Sequence, residues 1–238
     1  MSYKTVCVAG GGVLGSQIAF QAAYCGFDVT IWLRSEGSIG RTQPKIDHVR
    51  EEYIAAIEGM ADGTGEWCSG IADSGKPFDK EAALAAVEPA YSTLKLELDL
   101  AKAVADADLV IESMAEDTQA KIDFYKKLAP VLPQKTVVVT NSSTLLPSTF
   151  AKYTGRAEKY LSLHFANSIW KNNMTEVMAQ DQTDKRYFDE LVDFANDIRM
   201  LALPVNKEKN GYLLNSMLVP WLLSGLDLYV SGVSDPKS

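Results

Sequence analysis

His164 is one of only two histidines among 238 residues, and it closes the apolar run YLSLH from Tyr160 to His164. That run reads as a buried strand, and in open α/β sheets ligands bind beyond the carboxyl ends of strands. Asn141-Ser142-Ser143 likewise follows the strand-like TVVVT, and Glu176 lies on the next predicted strand, TEVM. A base, a carboxylate to orient it and a hydroxyl to hold a substrate oxygen make a proton-transfer set. The other histidine, His48 in DHVREE, reads as a solvated helix residue.

A second chemical feature stands near the N-terminus, where Gly10-Gly11-Gly12-Val13-Leu14-Gly15 fits GxGxxG. Gly10 permits a tight turn, Gly12 lets a pyrophosphate approach the backbone, and Gly15 lets a helix pack close to a strand. Phosphates would rest on unpaired N–H groups at the positive end of that helix. Gly10, Gly12, Val13, Leu14 and Gly15 are therefore candidate contacts for a nicotinamide dinucleotide. About 20 residues on, such units place Asp or Glu to bind the ribose hydroxyls. Here the stretch reads Trp32-Leu33-Arg34-Ser35. Leu33 cannot accept a hydrogen bond, whereas Arg34 and Ser35 could hold a 2′-phosphate, which leans to NADP over NAD. The bland alternative is that Arg34 is a solvated loop residue stacked on the adenine.

The elements that must position these groups alternate along the chain. Strands are expected at Thr5–Ala9, Asp28–Trp32, Asp108–Glu112, Thr136–Thr140, Tyr160–His164, Thr175–Met178 and Leu201–Val205. Helices are expected at Ser16–Tyr24, Pro44–Met60, Leu98–Val104, Thr118–Leu132 and Asp184–Asp197, with residues 61–80 as a Gly- and Asp-rich loop or mobile arm. Strand–helix alternation predicts a Rossmann-type, doubly wound, mostly parallel sheet. The expected division is a dinucleotide-binding domain at 1–205, with a helical arm near 37–80, and the first part of a helical domain at 206–238. Gly211–Val230 is apolar almost all round and is expected to be buried on most faces. Asn215, Pro220 and Asp227 argue against a membrane span, and the short remainder suggests a helical domain cut short.

Composition narrows the class. Hydrophobic residues make up 47%, enough for a sizeable core, and 23 Lys and Arg against 31 Asp and Glu leave a net charge of −8. That balance disfavours nucleic acid and anionic membranes as partners. Three scattered cysteines with no CxxC fit a reducing, cytoplasmic setting, and no metal site is predicted.

The ordered segments VAGGGVLGSQIAFQAAYCGFDVT, ADADLVIESMAEDTQAK, NSSTLLPS, LHFAN, TEVM and GYLLNSMLVP resemble the 3-hydroxyacyl-CoA dehydrogenases and their 3-hydroxybutyryl-CoA dehydrogenase relatives over most of the chain. The resemblance implies hydride transfer between a nicotinamide cofactor, NAD in the family, and a 3-hydroxy/3-oxoacyl substrate, as in fatty acid metabolism. It implies His164 as general acid/base, Glu176 as its partner, and Ser143 and Asn215 as hydrogen-bond partners of the reacting oxygen. Glu116, Lys121, Asn141 and Asn167 would contact the cofactor. A complete helical domain would make the homodimer. After LHFAN, however, Ser168-Ile169-Trp170-Lys171-Asn172-Asn173 departs from the CoA-using pattern and is most similar to a diketoreductase branch. Trp170 and Asn172 would then shape the substrate pocket, unless Trp170 packs in the core. Two alternatives remain at this level: a catalytically silent dinucleotide-binding module, or a sugar-acid dehydrogenase of the gulonate type.

Overall fold

The computed structural model describes residues 3–235 and Lys237. The chain opens with β1 (Thr5–Ala9), α1 (Val13–Tyr24) and β2 (Asp28–Trp32). The first helix begins three residues before the expected Ser16, because the chain turns helical directly after its N-cap, Gly12. α2 (Glu36–Asp62) far exceeds the expected span and contains Pro44. The missing proline N–H removes one ladder bond without ending the helix. α3 (Lys80–Ala85), α4 (Val87–Thr93) and the edge strand β3 (Lys95–Glu97) were not expected. With three residues and no buried side chain, β3 carries no hydrophobic pattern to read.

Alternation then follows as expected through α5 (Leu100–Val104), β4 (Leu109–Glu112), α6 (Thr118–Leu128), β5 (Val137–Thr140), β6 (Tyr160–Phe165), β7 (Met174–Met178), α7 (Lys185–Asp197) and β8 (Leu201–Val205). α6 stops short of Leu132 by passing into a 3₁₀ turn at Ala129–Val131 that contains Pro130. Last comes α8 (Leu214–Val230).

All eight strands join one sheet in the order β3-β2-β1-β4-β5-β6-β7-β8. From β3 through β6 every neighbouring pair is parallel, β7 runs antiparallel to β6, and β8 runs parallel to β7. This is the predicted doubly wound, mostly parallel sheet. Its strand order reverses at β1, so the crevice beyond the carboxyl ends of β1 and β4 is the topological switch point. The central strands β4, β5 and β6 are buried along their whole length, as parallel strands covered on both faces must be. Val6, Val8 and Ile111 pack toward α1 and α2, while Cys7, Val110 and Val138 pack toward α5 and α6.

Two expectations need correction. Residues 63–79 form a loop, but one that is tied down. Cys68 and Ile71 are buried, the Gly70 N–H bonds Trp170 O at 3.0 Å, and Gln21 Nε2 bonds Gly70 O at 2.9 Å. The second correction concerns α8, which buries none of its residues and leaves Trp221 72% exposed. Apolar composition says that a surface favours cover, not that the same chain provides it. No described helix is long and apolar enough to cross a membrane.

Candidate active site

The glycine turn behaves as its spacing requires. Gly10 has φ +119°, and a Cβ there would stand 2.5 Å from Ser113 O. A Cβ at Gly15 would stand 2.1 Å from Gly10 O, so only glycine lets α1 sit this close to the turn. A Cβ at Gly12 would meet nothing within 4 Å and would project into open space at the start of α1. That space, faced by first-turn N–H groups that lack intrahelical acceptors, fits a pyrophosphate. Val13 is exposed and Leu14 half-buried at the same helix start.

Beyond the carboxyl ends of β4, β5 and β6 lies a chain of polar contacts. The antiparallel register sets His164 directly opposite Glu176. Both side chains point to the same face, as cross-strand partners do. Nδ1 of His164 donates to Glu176 Oε2 at 2.7 Å, and the other ring nitrogen lies 3.1 Å from Ser143 Oγ. A carboxylate can only accept, so Nδ1 carries a proton, and whenever the ring is neutral Nε2 accepts from the serine hydroxyl. The remaining carboxylate oxygen of Glu176 accepts from the N–H groups of Leu213 and Leu214 at 2.7 and 2.8 Å. Burial by itself would raise the Glu176 carboxyl. The hydrogen bonds from His164 and from those backbone N–H groups outweigh it and hold the group below the usual carboxylate range.

Asn215 follows on the first turn of α8, half-buried, and is brought to this end of the sheet by the Glu176 clip. Tyr212, fully buried, stacks on the His164 ring with centroids 4.8 Å apart and 28° between planes. Sequence reasoning gave Tyr212 no part. Its only cue was its place beside Gly211 at the start of the last apolar segment.

Glu116 organises the loop after β5. It accepts from Ser142 Oγ at 2.7 Å and from the Ser143 N–H at 2.6 Å, which fixes the serine that faces His164. Lys121, expected at the cofactor, is instead only 1% exposed. Its ammonium lies 2.6 Å from Glu112 Oε1 and 3.5 Å from Glu116 Oε2, so it faces the interior and not a ligand. Glu112, buried and missed by the sequence reading, also accepts from Tyr125 and Thr140 hydroxyls. An acid at the end of an otherwise apolar strand was the signal that could have found it. Asn141 braces three strand ends, donating to Ser113 Oγ at 3.2 Å and accepting from the Phe165 N–H at 3.0 Å. Since Ser113 also abuts Gly10, the glycine turn and His164 share one edge of the sheet.

Asn167 is exposed, and its carbonyl accepts from Asn172 Nδ2 at 2.8 Å. The adjoining Ser168 N–H bonds Gln17 Oε1 at 2.8 Å, which ties this loop to α1. Trp170 lies in the core, 3% exposed, with its ring 5.4 Å from that of Tyr53. Its pocket role therefore gives way to packing, since a large apolar ring is favoured where it displaces most water. Leu33 and Arg34 line a cleft of about 300 Å³ that also reaches Gly10, Gly11 and Gly12.

Comparison with known proteins places the chain by family and fold. The family described as 3-hydroxyacyl-CoA dehydrogenase, NAD binding domain, matches residues 5–209. The human mitochondrial hydroxyacyl-coenzyme A dehydrogenase is 29% identical over 230 residues, covering 96% of this chain and 67% of that protein. A 3-hydroxybutyryl-CoA dehydrogenase of Clostridioides difficile is 26% identical over 98% of this chain and 74% of its own length. A solved diketoreductase structure, described by its substrate-directed dual catalysis of dicarbonyl compounds, is 40% identical with a TM-score of 0.83. That match covers 100% of this chain and 76% of the other.

Proposed function

The chain belongs to the 3-hydroxyacyl-CoA dehydrogenase NAD-binding family, and from that premise we propose that it is a nicotinamide-dependent oxidoreductase with His164 as general acid/base. The observation that carries this is the imidazole held between Glu176 and Ser143 at the sheet edge shared with the glycine turn. Gly10, Gly12, Val13, Leu14 and Gly15 would hold the cofactor's pyrophosphate, and Asn141, Asn167 and Glu116 would border its nicotinamide half. A nicotinamide bound there supplies the hydride acceptor or donor.

In the oxidative direction Nε2 of His164 takes the proton of the 3-hydroxyl group, and in reduction it returns one to the carbonyl oxygen. Imidazole suits this because it changes charge near neutral pH. Glu176 stabilises the imidazolium through a charge-assisted bond and keeps Nδ1 protonated. Ser143 and Asn215 donate to the substrate oxygen, where charge develops in reduction. Glu116 and Lys121 act at one remove, by fixing the Ser143 loop.

Leu33 stands where a ribose-binding acid is expected, and Arg34 and Ser35 follow it, which favours NADP(H) over NAD(H). The 40% identity to a diketoreductase described as acting on dicarbonyl compounds favours a dicarbonyl substrate over a CoA thioester. The exposed α8 is a surface for a second copy or a further helical segment. Cys7 and Cys25 are unpaired, with thiols pushed up to about 12 and about 11 by burial, so they are inert and suit a reducing cytoplasm.

The test follows absorbance of reduced nicotinamide with acetoacetyl-CoA and a 3,5-dioxo ester, each with NADH and NADPH. His164→Ala should lower turnover by a factor of about 10² or more while cofactor affinity persists. Unchanged turnover in that variant would refute the assignment.

A further inference from the structure

The cleft beside the glycine turn carries more positive charge than one arginine. Its walls include Arg34 at the end of β2 and Arg41 and Lys45 one helical turn apart on α2. No carboxylate lines it, although the chain holds 31 Asp and Glu. Among the described residues none of the three cations has a carboxylate within ion-pair distance, whereas Arg50, Lys80, Lys95, Lys135, Lys185 and Arg186 all do. In a protein of net charge −8, an unneutralised basic cluster beside a pocket is an anion site in waiting.

The local geometry aims these groups. Thr42 Oγ1 donates to Gly11 O at 3.1 Å, pinning this turn of α2 against the glycine turn. Arg41 donates to Ser38 Oγ at 3.0 Å, and Ser38 Oγ lies 3.0 Å from Ser35 Oγ. The Lys45 ammonium folds back onto the Arg41 carbonyl and so lies toward the N-terminal, positive end of α2. Glu36 is exposed at that end but does not line the cleft.

We propose that Arg34, Arg41 and Lys45 form a clamp for the 2′-phosphate of NADP(H), with Ser38 as a hydroxyl donor between them. The clamp rests on the glycine turn being a dinucleotide cradle, and it goes beyond that in assigning cofactor choice to α2. A phosphate dianion supplies the counter-charge that the three cations lack, and the fork of each arginine matches its oxygens. Plain ribose hydroxyls would leave the cluster mutually repelling.

Calorimetric titration of the full chain with 2′,5′-ADP and 5′-AMP, and with NADP⁺ and NAD⁺, tests this without any turnover. The phosphorylated member of each pair should bind about tenfold tighter or more, and the ratio should narrow as salt rises. Arg41→Ala or Lys45→Ala should each cut that ratio roughly threefold, and the double variant about tenfold, with far less effect on 5′-AMP. Equal binding within each pair, or a ratio untouched in the double variant, overturns the clamp and leaves the cradle standing. Failure of both dinucleotides to bind overturns the cradle, and the clamp with it.

Discussion

At the scale of single residues, Glu176 serves two masters: one oxygen orients His164 and the other caps the start of α8. Its lowered carboxyl pKa has a consequence for stability. An unfolded glutamate titrates near about 4.3, so a folded value below that makes the carboxylate stabilising above the unfolded value. That contribution is lost as pH falls through the folded value. Urea unfolding of the protein and its Glu176→Gln variant should show a stability gap that shrinks as pH falls below about 4. A gap that persists unchanged through the acid range would show that the charge state does not matter. Tyr212 is legible only in three dimensions. Its backbone adopts φ +51°, a conformation costly for a non-glycine residue, and the stack on His164 accompanies it.

At the scale of elements, the pairing of β6 with β7 makes the site. Residues 164 and 176 meet only because the register sets them opposite, and a slip by one residue would turn Glu176 to the other face. No local signal specifies that register, so the sequence could nominate both residues but not their contact. The joint between α6 and β4 is comparable. Lys121 and Glu112 are both buried, at 1% and 0% exposure, so each neutralises a charge that would otherwise be stranded. Lys121→Met should cost about 3–5 kcal/mol in urea unfolding, because it leaves a desolvated carboxylate without its cation. A loss under about 1 kcal/mol, the range of a surface pair, would mean that Glu112 finds another partner or takes up a proton.

At the scale of the whole molecule, α8 is the exception to an otherwise well-covered fold. Trp221, Leu222, Leu223 and Leu226 are all more than half exposed. A contiguous apolar stripe of this kind promotes association. Sedimentation velocity should therefore show mass rising with concentration, and Trp221→Glu with Leu222→Glu should abolish the rise. A monomer across the concentration series would indicate that the stripe is tolerated in water. The doubly wound, mostly parallel class of the sheet, by contrast, was readable in advance from strand–helix alternation, although its edge strand β3 and the order of its strands were not.

What the linear chain determined was whatever depends on neighbours in sequence: the glycine turn, the apolar strands, the amphipathic helices, and the chemical types at the strand ends. Steric and periodic rules act over a few residues and leave their mark in the letters. Tertiary structure alone decided that Lys121 turns inward, that Trp170 belongs to the core, that α8 stands uncovered, and that Arg41 and Lys45 join Arg34 around one cleft. Those outcomes depend on which surfaces distant segments bring together, and no local preference encodes that distance.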